Sequence, residues 1–116
     1  MTRIESISLK NWNTKQVKNM SKMFQYCYLL VDLDISSFSG DNVEDTSCMF
    51  SDCYGLSQIN FKNFDTTKVT DMSRMFEDCT KIASLDLSNF KTNNVKSMSK
   101  MFSGCVSLKE LNIKFD

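Results

Sequence analysis

Five cysteines and fourteen carboxylates are the side chains of this 116-residue sequence with chemistry to offer, and there is no histidine among them. The missing imidazole removes the commonest general base, proton shuttle and metal ligand together. Four of the cysteines, Cys27, Cys53, Cys79 and Cys105, stand 26 residues apart. Structural zinc sites use local Cys-x-x-Cys pairs instead. Being in phase with Phe and Leu, these thiols read as an inward ladder of small hydrophobes, with disulfides or metal binding as the alternative. Cys48 falls out of phase, in a column with Lys22, Arg74 and Lys100, and is expected to face solvent. Its acidic sequence neighbours Glu44, Asp45 and Asp52 would raise its pKa. A tolerated surface substitution is therefore preferred over a reactive or cross-linking thiol.

The carboxylates form no acid/base pair. Asp32, Asp34, Asp86 and Glu110 alternate with apolar residues and so take outward positions. A glycosidase-like pair would need two carboxylates about 5 to 10 Å apart around a cleft. No Gly-rich phosphate loop can be built from three glycines. Neither catalytic, cofactor-binding nor metal-ligating residues are expected, and the chain is read as not an enzyme.

What positions these residues is a repeat. Ile7, Leu33, Ile59, Leu85 and Leu111 are separated by 26 each time, as are Leu9, Ile35, Phe61, Leu87 and Ile113. Aromatic (Trp12, Phe38, Phe64, Phe90), Val (Val17, Val43, Val69, Val95) and Met (Met23, Met49, Met75, Met101) columns follow, then Phe24, Phe50, Phe76 and Phe102. No insertion or deletion interrupts them. The methionines other than Met1 fall on the apolar stripe, so core filling is preferred over a soft binding surface. Lacking proline, the chain must turn on Asn, Asp, Ser, Thr and Gly.

Two local patterns share each unit. Ser84-Leu85-Asp86-Leu87-Ser88 alternates, the period of a half-buried strand. Val69, Met72, Met75, Phe76, Cys79 and Ile82 step by three or one, which predicts one apolar stripe on a helix. The expectation is an α/β solenoid: coils 7–32, 33–58, 59–84 and 85–110, a first strand at 4–10 and a final one at 111–115, with a parallel sheet along one side.

Leu108-Lys109-Glu110-Leu111-Asn112-Ile113 matches the Leu-x-x-Leu-x-Leu signature of leucine-rich repeats. Leu85-Asp86-Leu87-Ser88-Asn89-Phe90 with Thr92, Val95, Met98-Ser99, Met101-Phe102 and Cys105 resembles the 25- to 26-residue repeat of BspA-like, mycoplasma-lipoprotein-type bacterial surface proteins. That resemblance covers essentially the whole chain. It implies a leucine-rich-repeat-like fold and a role in adhesion and host contact at a cell surface.

The outward strand positions are where a partner is expected: Ser6, Ser8 and Lys10; Asp32, Asp34 and Ser36; Gln58, Asn60 and Lys62; Ser84, Asp86 and Ser88; Glu110, Asn112 and Lys114. The competing reading is a merely solvated face. Charge is segregated too. Residues 7–32 come to +3, 33–58 to −5, 59–84 to zero and 85–110 to +2. Asp41, Glu44, Asp45 and Asp52 of the second coil could dock a basic partner, or merely neutralise adjacent coils. With Lys+Arg and Asp+Glu equal at 14, global charge recruits neither nucleic acid nor an acidic membrane. No apolar run reaches the roughly 18 residues of a membrane span, and Met1–Ser6 opens no signal peptide. Strands beginning near one terminus and ending near the other suggest end-to-end homo-oligomers.

The function expected is a non-catalytic protein-binding repeat module, an adhesion segment of a bacterial surface protein. The alternative is a freestanding intracellular binder or inhibitor, encoded by a mobile element, that blocks a larger protein or nucleoprotein. Location follows: cell surface for a fragment of an exported protein, cytoplasm for a complete chain.

Overall fold

The computed structural model describes residues 6–115. The alternating segments form four three-residue strands: β1 (Asp32–Asp34), β2 (Gln58–Asn60), β3 (Ser84–Asp86) and β4 (Glu110–Asn112). β1 pairs with β2 and β3 with β4, both parallel, and partners differ by the 26-residue repeat: Leu33 lies beside Ile59, and Leu85 beside Leu111. Of the expected end strands, residues 6–10 form none, and Ile4 and Glu5 lie outside the described residues. The last strand is Glu110–Asn112 rather than 111–115.

The expected α/β solenoid does not form, and the leucine-rich-repeat architecture implied by the resemblance falls with it. Among the described residues there is no helix, only two two-stranded sheets. A helix needs right-handed residues throughout and N–H bonds to the carbonyl four residues back. Here every Met-Ser-x-Met-Phe, and its counterpart Thr46-Ser47-Cys48-Met49-Phe50, carries a left-handed residue at the third position: Lys22, Cys48, Arg74 and Lys100, at φ 61°, 56°, 56° and 57°. Four residues later Tyr26, Asp52, Asp78 and Gly104 are left-handed again. The N–H groups of Met72, Arg74, Phe76 and Asp78 leave the segment and donate to the carbonyls of Ser97, Ser99, Met101 and Ser103 at 2.7 to 2.9 Å. Between them, Met75, Glu77 and Cys79 donate to the carbonyls of Met72, Arg74 and Phe76 at 3.1 to 3.3 Å. The apolar spacing of three thus belongs to successive three-residue turns, laddered in parallel from repeat to repeat. Bridges Asn19–Asp45, Asp45–Asp71 and Asp71–Ser97 continue that ladder on the same wall.

The strand wall is built differently, and its joints alternate. Ile35 N–H donates to Asn60 O at 3.1 Å and Leu87 N–H to Asn112 O at 2.7 Å, but the corresponding bond from Phe61 to Asp86 is not made. Side chains clip that joint instead. Asn89 Nδ2 donates to Phe61 O at 3.0 Å, Thr66 Oγ1 to Lys91 O at 2.9 Å and Asn94 Nδ2 to Thr67 O at 2.7 Å. Fifty-two residues earlier, Ser37, Thr14 and Asn42 make the same three clips onto Leu9, Ser39 and Lys15. Where the two threonines stand at the clipped joints, Gly40 stands at the β1–β2 joint, and a Cβ there would strike Asp65 O. The backbone of the next repeat thus passes where a side chain would start at Gly40, while Thr92 holds the same column at the β3–β4 joint.

The core lies between the walls. Phe24, Phe50, Phe76 and Phe102 stack in sequence, with ring centroids 5.5 to 5.7 Å apart and planes within 10°. Phe61 meets Phe50, Phe76 and Phe90 edge-on. Leu30, Leu56 and Ile82, and Met49, Met72 and Met75, are fully buried beside them. Burying each such side chain contributes about 1.5–3 kcal/mol. The molecule is squat, 31 × 31 × 19 Å.

Candidate functional site

The strand-wall candidates divide by what their side chains already do. Asp34 Oδ1 accepts the N–H of Ser36 at 2.9 Å, Asn60 Oδ1 that of Lys62 at 3.0 Å, and Asp86 Oδ1 that of Ser88 at 3.0 Å. These are Asx turns that bend the chain out of the strand. Hydrogen bonds from the Ser36 and Ser88 side chains and backbones hold Asp34 and Asp86 below the ordinary carboxylate range. Asp32, Gln58, Ser84, Glu110 and Asn112 are exposed without such a duty, as are Lys62 and Ser88; Ser36 is half-buried. The clipped joints leave two equivalent shallow clefts. One, of about 480 Å³, lies between Phe61 with Lys62 and Asp86 with Ser88; the other, of about 350 Å³, lies between Leu9 with Lys10 and Asp34 with Ser36.

The acidic second coil is not one patch. Asp41 and Glu44 are exposed on one turn, while Asp45 is half-buried in the backbone ladder, where its Oδ1 caps the N–H of Ser47 at 2.8 Å. Asp52 lies elsewhere, at the corner described below. Direct neutralisation by the lysines of the first coil does not occur: among the described residues the ion pair is Arg74 to Glu77, at 3.3 Å.

All five thiols are free. Cys27, Cys53 and Cys79 are buried and Cys105 is half-buried. Sγ of Cys53, Cys79 and Cys105 donates to the carbonyl of Phe24, Phe50 and Phe76 at 3.0, 3.1 and 3.0 Å. Each thiol therefore joins its repeat to the one before. Burial pushes Cys53 up to about 12 and Cys79 further still. Cys48 is half-buried rather than solvent-facing, and burial is the first cause of its raised pKa, outweighing Lys22 and Arg74. Its expected acidic neighbours are not the operative ones; Glu77 and Asp71 of the next repeat act on it.

The most distinctive surface is one the repeat columns passed over. Five of the eight exposed large hydrophobic side chains among the described residues, Tyr26, Leu29, Val31, Tyr54 and Val106, occupy the corner between the turn ladder and the strand wall. Tyr28 and Tyr54 stack at 5.0 Å with planes within 6°, and Tyr26 leans on Tyr28 at 6.2 Å. Gly55 makes the stack possible, because a Cβ there would approach Tyr28 O to 2.7 Å. Beside the rings, Tyr54 Oη donates to Asp52 Oδ1 at 3.2 Å and Ser51 Oγ to Asp52 Oδ2 at 3.0 Å. Asp78 adjoins Asp52 from the next repeat; desolvation, then the charges of Asp52 and Glu77, raise its pKa. The available signal in the sequence was aromatic residues in columns that otherwise hold Thr80 and Val106, or Asp52, Asp78 and Gly104.

Among the described residues, no helix is long and apolar enough to cross a membrane. No curated protein and no solved structure matches the chain. One family model does, and it spans residues 1–115; it is consistent with the mycoplasma-type repeat and carries no specific evidence for leucine-rich repeats. The chain belongs to the family described as Mycoplasma protein of unknown function, DUF285.

Proposed function

We propose that this chain is a non-catalytic protein-binding module, serving as an interaction or adhesion segment of a cell-surface protein. The observation that carries the reading is the tyrosine corner. In a chain that buries its phenylalanine stack, Tyr26, Leu29, Val31 and Tyr54 remain 44 to 47% exposed, and Tyr54 stacks on Tyr28. Contiguous exposed apolar side chains mark interaction sites, and tyrosine is enriched in the cores of interfaces. Two-χ aromatic side chains prearranged by stacking also lose little entropy on binding. The strand wall is a secondary contact, through Asp32, Gln58, Ser84 and Glu110, which have no capping duty. A second reading, a freestanding intracellular binder or inhibitor, draws on the five free thiols, which suit a reducing compartment.

The test is affinity capture, in parallel from source-cell lysate and on intact host cells. Baits are the wild type, a Tyr28→Ser/Tyr54→Ser variant, and a strand-wall variant carrying Asp32→Lys, Gln58→Lys and Glu110→Lys. Retention on cells that the tyrosine variant loses supports the adhesion reading. A specific lysate partner lost with the same variant moves the module inside the cell. Retention of nothing by any bait overturns protein binding.

A further inference from the structure

We propose that the tyrosine corner recognises arginine side chains of a partner protein segment, each guanidinium lying on the open face of Tyr54 and bridging the carboxylates of Asp52 and Asp78. The inference rests on the protein-binding reading and names the partner's chemistry. Three features of the corner converge on it. The inner face of Tyr54 is covered by Tyr28, but its column continues with Thr80, too small to cover the outer face, and the ring is 44% exposed. An aromatic face attracts a cation, and a planar guanidinium both stacks on it and spreads its donors in the ring plane.

The second feature is charge. Asp52 N–H donates to Glu77 O at 2.8 Å, which sets Asp52 beside Asp78 of the next repeat, and among the described residues neither carboxylate forms an ion pair, since Arg74 is committed to Glu77. Two like charges side by side repel; a cation that bridges them removes the repulsion and gains two charge-assisted hydrogen bonds. The third is placement. Tyr54 Oη and Ser51 Oγ already orient the Asp52 carboxylate at 3.2 and 3.0 Å, so it is held beside the ring edge instead of free in solvent. Exposed Leu29 and Val31 extend the surface with apolar contacts. Apolar residues flanking the arginine are thus part of the match. A lysine would satisfy the charge alone, because its ammonium is a point charge without the planar fork.

The test uses the whole chain, uniformly 15N-labelled. It is titrated with the capped pentapeptide Ala-Arg-Leu-Arg-Ala, with analogues carrying Lys or Glu in place of Arg, and with an N-acetylglucosamine trimer. Saturable shifts centred on the amides of Tyr28, Asp52, Tyr54 and Asp78 are expected with the arginine peptide, roughly fivefold weaker binding with the lysine peptide, and none with the glutamate peptide. Tyr54→Ala, and separately Asp52→Asn/Asp78→Asn, should each weaken the arginine peptide roughly fivefold or more. Asp41→Asn, on another turn, should leave it unchanged. The dispersion of each variant's spectrum reports that it is folded. Shifts spread over all acidic residues, with Asp41→Asn as harmful as Tyr54→Ala, would overturn the proposal by showing unspecific charge attraction. Binding of the sugar alone at these amides would overturn it too. If the arginine peptide fails while Tyr54-dependent capture persists, the inference is wrong and the protein-binding reading stands; if both fail, both are wrong.

Discussion

Cys53 and Cys79 are held as thiols by the same burial that makes them useful, and the consequence is a pH dependence with a definite sign. In the unfolded chain a cysteine ionises near 8.5. In the folded chain Cys53 ionises only at about 12. Below the lower value both states are protonated and the contribution to stability is complete. Above it the unfolded chain gains free energy by ionising and the folded chain does not, so stability falls as pH rises from about 8.5 toward 12. Thermal unfolding followed from pH 7.5 to 10.5 should show a declining Tm, and the decline should be shallower in Cys53→Ala than in the wild type, whatever the variant's starting value. The opposite slope change would remove burial as the cause. Phe50 sits at the centre of the ring stack, fully buried, with Phe24 and Phe76 on its two faces. Phe50→Ala should cost about 3–5 kcal/mol in denaturant unfolding, whereas Cys48→Ser, at a half-buried site, should cost less than about 1 kcal/mol.

Between elements, the alternation of joints has its own prediction. Backbone bonds close the β1–β2 and β3–β4 joints, while Asn89, Thr66 and Asn94 clip the one between β2 and β3. Amides paired in a ladder exchange only on opening, and unpaired ones exchange freely. Ile35 and Leu87 should therefore be protected in hydrogen exchange, and Phe61, at the equivalent position, should not be. Equal protection of all three would show that the joint is zipped in solution. Gly40→Ala places a carbon against Asp65 O at a closed joint, and should destabilise by about 1–3 kcal/mol. The alternation has a trace in the sequence: Lys10 and Lys62, Asp34 and Asp86, and Ser36 and Ser88 each recur after 52 residues, not 26. Within 26-residue columns these pairs look like ordinary surface variation, which is why the double period was not evident from column matching alone.

At the scale of the molecule, two walls enclose one core, and the contact surface proposed above sits where they meet. The polar strand wall that the pattern singled out spends Asp34, Asn60 and Asp86 on its own turns. The principal contact proposed is the corner, where variable columns of adjacent repeats bring Tyr28, Tyr54, Asp52 and Asp78 together, with the uncommitted Asp32, Gln58, Ser84 and Glu110 as the secondary one. If that corner is the contact, Gly55→Ala should weaken partner binding without abolishing folding, because its Cβ would push against Tyr28 O and part the stacked rings. A circular dichroism spectrum with unchanged shape, together with unchanged affinity, would refute this.

The 26-residue period, the inward columns of Leu, Phe, Met and Cys, and the outward polar strand positions were all determined by the sequence, because burial demands the same residue class at the same step in every repeat. The structure decided what the period could not. Apolar residues at steps of three suit a helix stripe and a chain of three-residue turns alike. The choice between them lay in left-handed φ at Lys22, Cys48, Arg74 and Lys100, residue types with no particular preference for it. Those conformations persist because alternate N–H groups find carbonyls on the neighbouring repeat, a partner that exists only once the repeats have come together. The tyrosine corner was hidden for the same reason: its residues lie in different repeats, and only the packing of one repeat on the next makes them neighbours.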